Sequence, residues 1–260
     1  GRVVGGSSSI NSMIAIRGNP QDYDAWAARR LPSWGYASLR PYLRKIEDAT
    51  LVTNSRDPDR GYDGPIRLSY GTQRSPVSLA FIEGAKSAGL PANDGFNGAS
   101  QAGAGFYELS IADGRRSGAF KYLEQAKGRP NLTLLTNCLV RRLAMNGLEV
   151  RGVVISKGGR ETTLVAEREV ILSAGAICSP QLLMLSGIGP ADHLKSHGID
   201  PILDLPSVGA NLHDHLDCAL RMEASQPVTL TPYLGMLKGG AAGAQYILTG
   251  GGPATSQGVE

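Results

Sequence analysis

The stretch 139–166 limits the fold more than any other part of the chain. Leu139 to Met145 alternates like a strand, Asn146-Gly147 is the strongest short hairpin signal, and Glu149 to Ser156 forms the return. Lys157-Gly158-Gly159-Arg160 reverses the chain again, and Glu161 to Ala166 supplies a third run. The expected product is a β-meander, with Asn131 to Thr136 reading as one more strand just before it. An all-helical bundle has no place for such a segment.

A strand of another kind follows. Val170-Ile171-Leu172 is short and continuously apolar, the pattern of a strand buried on both faces in a parallel sheet. It leads through Ser173-Ala174-Gly175-Ala176, all small, into a helix predicted from Ser179-Pro180 to Leu185 and stopped at Ser186-Gly187. Strand, tight turn and helix make a βα corner, and open α/β folds bind ligands outside such strand ends. A further helix is predicted over Ala191 to His197, before a loop that reaches Gly209-Ala210-Asn211-Leu212-His213-Asp214-His215.

The first half alternates helices with irregular chain. Asn19 is a good N-cap, Pro20 suits the first helical position and Asp22 favours the first turn, with Tyr23 and Trp26 on one face. Helices are predicted over Ser38 to Glu47, Ser78 to Ala88 and Ala119 to Ala126, and a strand over Ile66 to Tyr70. Between them, Asp48 to Pro65 reads as an exposed irregular connection, Asn54 included, and Asn93 to Ala104 as a glycine- and asparagine-rich stretch that skirts a site. The 34 glycines and only 6% aromatic residues suit an α/β protein rich in tight turns.

Near the start lies Gly5-Gly6-Ser7-Ser8-Ser9-Ile10-Asn11, flanked by Val3-Val4 and by Met13-Ile14-Ala15-Ile16. Small residues in such a bend expose successive backbone N–H groups, which bind anions or electron-rich ring edges. A formal charge of +3 and the lack of a lysine-arginine cluster argue against a nucleic-acid partner. Cys138, Cys178 and Cys218 are widely spaced and form no Cys-x-x-Cys pair, as expected of thiols in a reducing, cytoplasmic setting. No apolar run approaches a membrane span, so membrane association would need segments outside this sequence.

Several chemistries lack their motif. There is no Gly-x-Ser-x-Gly elbow and no Walker sequence, and Gly103-Ala104-Gly105 lacks the third glycine of a dinucleotide fingerprint. His193 and His197 stand four apart on a predicted helix, and His213-x-His215 is a pairing that zinc sites use. No glutamate sits beside His193, however, and a helix C-terminus favours His197 for its own reasons, so capping and loop roles are the preferred reading.

Two long signatures then carry a resemblance. Gly1-Arg2-Val3-Val4-Gly5-Gly6-Ser7-Ser8-Ser9-Ile10-Asn11 and Gly175-Ala176-Ile177-Cys178-Ser179-Pro180-Gln181-Leu182-Leu183-Met184-Leu185-Ser186-Gly187-Ile188-Gly189 resemble the two signatures of the glucose–methanol–choline (GMC) flavoprotein oxidoreductases. Arg17-Gly18-Asn19-Pro20, Asp22-Tyr23-Asp24 with Trp26, and Gly209 to His215 are similar to that family at the expected places, nearest its choline and alcohol dehydrogenase branch. The family's Asn-Leu-Gln-Asp-His reads Asn-Leu-His-Asp-His here, with His213 in place of glutamine.

The resemblance implies an α/β protein holding an FAD-binding, Rossmann-like portion with the meander, plus part of a sheet-based substrate domain. Residues 1–49 and 116–217 would be the FAD-binding portion, 50–115 a substrate-side insertion and 218–260 the start of the substrate-binding domain. The implied activity is oxidation of an alcohol, choline or another primary alcohol, to the aldehyde, with hydride passing to flavin N5 and then to oxygen, a quinone or a dye. Val4, Gly5, Gly6, Ser7 and Ser8 would lie against the cofactor. Asn11, Ser12, Met13 and Ile14 would touch its isoalloxazine, Val140 would meet adenine through its backbone, and Ser173, Ala174 and Gly175 would line the cleft. Ile10 stands where some members carry the histidine that bonds to flavin, so the implied FAD is non-covalent. By the same likeness the pyrophosphate-binding unit falls before Gly1 and the catalytic histidine after Glu260. With abrupt ends at Gly1 and at Gly258-Val259-Glu260, the chain reads as an internal fragment with little or no activity alone and no catalytic residue of its own. Homo-oligomer formation, and the rival reading of a non-catalytic nucleotide- or anion-binding module, stay open at this point.

Overall fold

The computed structural model describes residues 1–53, 57–72, 74–216, 218, 223, 225–226 and 228–255. Asn54, Asp217 and the Gly258-Val259-Glu260 end, which figured in the expectations above, lie outside them. The fold is mixed α/β, and the chain divides into two compact units, Gly1–Arg129 with Met222–Glu260, and Pro130–Arg221.

In the first unit α1 spans Pro20–Ala28 and is capped as its sequence demands. Asn19 Oδ1 accepts from the Gln21 N–H at 3.0 Å and Asp22 Oδ2 from the Asn19 N–H at 3.1 Å, with Pro20 at the first position. Helix α2, Tyr36–Ile46, ends with Arg44 and Lys45, which favour the negative end of its dipole. It runs directly into β1, Glu47–Asp48, which pairs in parallel with β2, Ile66–Arg67. After one residue β3 continues at Ser69–Tyr70, and α3 covers Pro76–Ser87, starting two residues before the predicted Ser78 because Ser75 caps it and Pro76 opens it. Strand β4, Glu108–Leu109, pairs antiparallel with β3. A hairpin follows, β5 at Ile111–Ala112 with β6 at Arg115–Arg116, and then α4, Phe120–Ala126.

The connection 48–65 is not the exposed loop expected. Ala49, Arg60 and Gly61 are buried in it, because Arg60 is drawn inward to pair with Glu47 and Glu108. Asn97, in the stretch expected to skirt a site, is buried too, where it donates to Glu108.

The meander forms the sheet of the second unit, in the order β7 (Leu139–Asn146), β8 (Glu149–Lys157), β9 (Arg160–Val165). Its first turn consists of Gly147 and Leu148, with Gly147 at φ +57°; its second is Gly158-Gly159, both at positive φ, as a tight mirror-image turn requires. Helix α5, Gly175–Leu185, packs Leu182 and Leu183 against β7 and β8, and Leu143, Leu182 and Ile188 are the centre of the core. Strand β10, Ile188–Gly189, helix α6, Ala191–Ser196, and strand β11, Leu203–Asp204, complete the unit; β10 and β11 pair in parallel.

Further expectations fail here. Asn131 to Thr136 forms no strand, and Leu132, Leu134 and Leu135 are exposed. Val170-Ile171-Leu172 is not a strand buried on both faces: no strand among the described residues pairs with it, and Ile171 is 76% exposed while Val170 and Leu172 lean on the core. An apolar run becomes a strand only where neighbours accept its hydrogen bonds. Helix α5 starts four residues before Ser179, with Pro180 inside it; the N–H that proline lacks would have bonded within the first turns, where the carbonyl is exposed. Beyond Cys218, where a sheet was expected to begin, the described residues form instead a short 3-10 turn, Thr231–Leu234, and α7, Met236–Thr249, closed by Gly250 at φ +69°. Among the described residues no helix is long and apolar enough to cross a membrane.

Candidate functional site

The opening loop is a built object. Gly5 has φ +90° and starts a 3-10 turn over Gly6–Ser9; a Cβ there would collide with Ser9 Oγ and press on the Phe120 ring at 3.1 Å. Ser9 Oγ donates to the Val4 carbonyl at 2.7 Å and Ser8 Oγ to the Gly5 carbonyl at 2.6 Å, while Ser8 Oγ accepts from the Ala119 N–H at 2.9 Å. The serines thus satisfy backbone groups that a glycine-rich bend would leave to water. Ser7 and Ile10 face out, Ile10 being 64% exposed.

Past the turn the chain is held in an uncommon shape. Met13 has φ +65°, which costs a residue with a Cβ roughly 1–2 kcal/mol. Asn11 holds it there, its Oδ1 accepting the Met13 N–H at 3.1 Å. The Met13 carbonyl accepts from the Ser110 N–H at 2.7 Å and the Ala15 N–H donates to the Glu108 carbonyl at 2.8 Å, so Ile14 bridges antiparallel to Leu109. The Ser12 and Ile14 N–H groups donate to nothing among the described residues.

Two sets of residues missed by the sequence reading fix this loop. Arg116 reaches across from β6, where its Nη1 donates to Asn11 Oδ1 at 2.6 Å, the Asn11 carbonyl at 2.8 Å and the Ser8 carbonyl at 3.2 Å. Its signal was available: Asp113-Gly114 is a hairpin turn, and both residues have positive φ. Beneath lies a buried charged knot. Arg60 donates to both oxygens of Glu108 at 2.8 and 2.6 Å and to Glu47 Oε1 at 2.8 Å. Asn97 donates to Glu108 Oε2 at 2.9 Å and accepts from the Arg17 N–H at 2.7 Å, and Arg17 pairs with Glu47. Burial alone would lower the Arg60 pKa, but the hydrogen bonds and charges of Glu108 and Glu47 hold it above the ordinary arginine value. The five residues come from five separate segments, a pattern that no local reading of the sequence detects.

Against the loop the first unit has a cavity of about 390 Å³, lined by Met13, Tyr70, Ile111, Arg116, Tyr246 and Thr255 among others. Burial, helped by the charges of Glu108 and Asp94, raises the Tyr70 pKa above its usual 10.0, so its hydroxyl stays protonated. Tyr246 donates to the Gly114 carbonyl at 2.7 Å and ties α7 to the hairpin turn.

In the second unit Val140 lies on β7 opposite Ile155, beside a bulge. That strand is at the edge of its sheet, and one of its outward N–H groups, that of Leu143, is taken by Ser186 Oγ at 2.8 Å. Ser173, Ala174 and Gly175 are exposed at the start of α5. Ser179 Oγ accepts the Ala174 N–H at 3.0 Å, no side chain caps the helix, and a Cβ on Gly175, at φ +91°, would meet open space. The first-turn N–H groups of an uncapped helix favour an electron-rich partner. His193 and His197 stack edge to face at 4.7 Å, and among the described residues no group of three metal-ligating side chains converges.

In the first unit, the free backbone N–H groups at Ser12 and Ile14 and the Asn11 amide fit the nitrogen- and oxygen-rich edge of a flavin chemically, and small residues leave the backbone accessible. In the second unit, the first turn of α5 offers backbone donors of its own.

A family model described as GMC oxidoreductase matches residues 1–217. An oxygen-dependent choline dehydrogenase of Staphylococcus xylosus is 44% identical over 100% of this chain and 46% of its own length. Among solved structures, an FAD-dependent oxidoreductase from Chaetomium thermophilum superposes with a TM-score of 0.84 at 29% identity, over 98% of this chain and 47% of that one. Pyridoxine 4-oxidase from Mesorbium loti gives 0.72 at 36% identity, over 80% and 41%. The chain therefore spans less than half the length of the relatives it matches. With both glycine-rich signatures inside the matched stretch, the chain belongs to the GMC oxidoreductase family.

Proposed function

We propose that this chain supplies the flavin-ring loop and the βα corner of an FAD-dependent enzyme that oxidises an alcohol, choline or another primary alcohol, to the aldehyde. The observation that carries the reading is the Gly5–Ile14 loop, bent at positive φ, braced by side chains and left with unused N–H donors. FAD, when bound, accepts the hydride of the alcohol carbon. Asn11, Ser12, Met13 and Ile14 would hold the ring edge, and Val4, Gly5, Gly6, Ser7 and Ser8 its neighbourhood. Ser173, Ala174 and Gly175 would offer the first turn of α5, and Val140 a strand-edge backbone. Ile10 has only hydrocarbon to offer, so the FAD is held without a covalent bond. We assign no proton-accepting base among residues 1–260. Residues 1–49 and 116–217 form the cofactor portion in this reading, with 50–115 and 218–260 on the substrate side.

The three cysteines, free where described, support a reducing, cytoplasmic setting. The test is to express the coding sequence with its natural flanks and look for visible flavin absorbance that acid denaturation releases into solution. Reduction of a dye, a quinone or oxygen is then followed with choline and simple alcohols, and the mass in solution reports any homo-oligomer. The 260-residue chain alone is expected to show little or no turnover. A colourless protein that binds phosphate ligands instead would overturn the reading in favour of an anion-binding module.

A further inference from the structure

The β5–β6 hairpin, with Ser110 just before it, is tied to the opening loop through both backbone and side chains. The Ser110 N–H donates to the Met13 carbonyl at 2.7 Å, and the Arg116 Nη1 group reaches Asn11 and Ser8. The Asn11 side-chain oxygen receives two donors, Arg116 Nη1 at 2.6 Å and the Met13 N–H at 3.1 Å. Turning that amide over would set its NH2 against two N–H groups and lose both hydrogen bonds. The oxygen is therefore fixed inward and the Nδ2 group outward, before any ligand arrives. We infer that Arg116 is a positioning residue for the cofactor loop: it fixes the Asn11 amide so that Nδ2 is presented as a donor to the flavin, and it holds Met13 in its left-handed shape.

The inference rests on the flavin reading above. Hydrogen bonds to a guanidinium are stronger than neutral ones; all three here run through the one Nη1 group, so a lysine ammonium, charged and with three donors on a flexible stem, should keep part of them. Arg116→Gln and Arg116→Lys are therefore compared with the wild-type full-length protein by two measurements. Amide exchange of the segment containing Met13 is followed in flavin-free protein, and the midpoint potential of bound FAD in the loaded one. Arg116→Gln is expected to speed exchange at Met13 on the order of tenfold and to lower the potential, since a donor and a nearby positive charge that favour the electron-rich form are lost. Arg116→Lys should recover part of both. Exchange in Leu139–Val165 is the folding control.

Unchanged exchange in Arg116→Gln overturns the proposal, and so does faster exchange with an unmoved potential, because that marks a brace with no link to the flavin. If Arg116→Gln does not fold, Asn11→Asp replaces it. Its carboxylate still accepts from Arg116 and Met13 but has no amide donor, so Met13 exchange should stay slow while FAD binds on the order of tenfold more weakly. Unweakened FAD binding would sink the idea. A wild-type protein that takes up no flavin would defeat the functional reading itself, an outcome distinct from a loaded protein indifferent to Arg116.

Discussion

In the first unit the largest deeply buried side chains are charged, set among smaller ones such as Ala49, Leu68 and Leu109. Arg60 and Glu108, at 3% and 2% exposure, sit with Glu47, Asn97 and Arg17, and each comes from a different segment. In the second unit the corresponding depth is filled by Leu143, Leu182, Ile188 and Leu194. Apolar burial is non-directional, so a leucine core tolerates small shifts of sheet against helix. Ion pairs with fixed hydrogen-bond geometry do not. The charged knot adds little over an apolar core in net stability, but it sets the positions of five segments narrowly and fails sharply when one partner goes. A loop that must present donors to a ligand benefits from that kind of support. The Glu108 carbonyl itself accepts from Ala15, one residue past the loop.

The comparison can be broken most severely at Arg60. Arg60→Met should cost about 3–5 kcal/mol, since it leaves the buried Glu108 without its cation and Glu47 with Arg17 as its remaining one. Chemical denaturation would read the loss, and amide exchange would confine it to Gly1–Arg129. Adding Glu47→Gln and Glu108→Gln should return part of it. In the second unit Leu143→Ala should cost about 2–5 kcal/mol through lost burial and a cavity, with exchange rising in 139–189 and the first unit unaffected. A substitution there that left stability unchanged would mean that the sheet and α5 do not share a core.

Ser186→Ala tests a polar tie inside the apolar region. Ser186 Oγ donates to the Leu182 carbonyl at 2.6 Å and accepts the Leu143 N–H, so its loss leaves that N–H unsatisfied and should cost about 1–3 kcal/mol. The smallest effect is expected at Tyr70, which responds chiefly to its own burial and less to the charges of Glu108 and Asp94. Its pKa is raised above 10.0 in the folded protein, so the fold binds that proton more tightly than the unfolded chain. The resulting stabilisation is present below pH 10.0 and is lost as pH rises through the folded pKa. Tyr70→Phe should therefore lose less stability than wild type in alkaline melts; identical alkaline profiles would show that burial does not raise the Tyr70 pKa.

The sequence by itself determined what depends on near neighbours. The Asn19 cap with Pro20, the glycine turns of the meander and the two family signatures are all local, and their chemistry needs only a few consecutive residues. The Arg116 hairpin was legible in Asp113-Gly114, but what its side chain touches, more than a hundred residues away in sequence, was not. Tertiary structure alone decided that Arg60 and Asn97 go inside, that Val170 to Leu172 is no strand, and that residues 236–249 are helical rather than part of a sheet. The physical reason is common to the three. A buried charge, a strand and a helix face are each stable only through partners that sequence distance conceals, whereas a cap or a turn carries its partner with it.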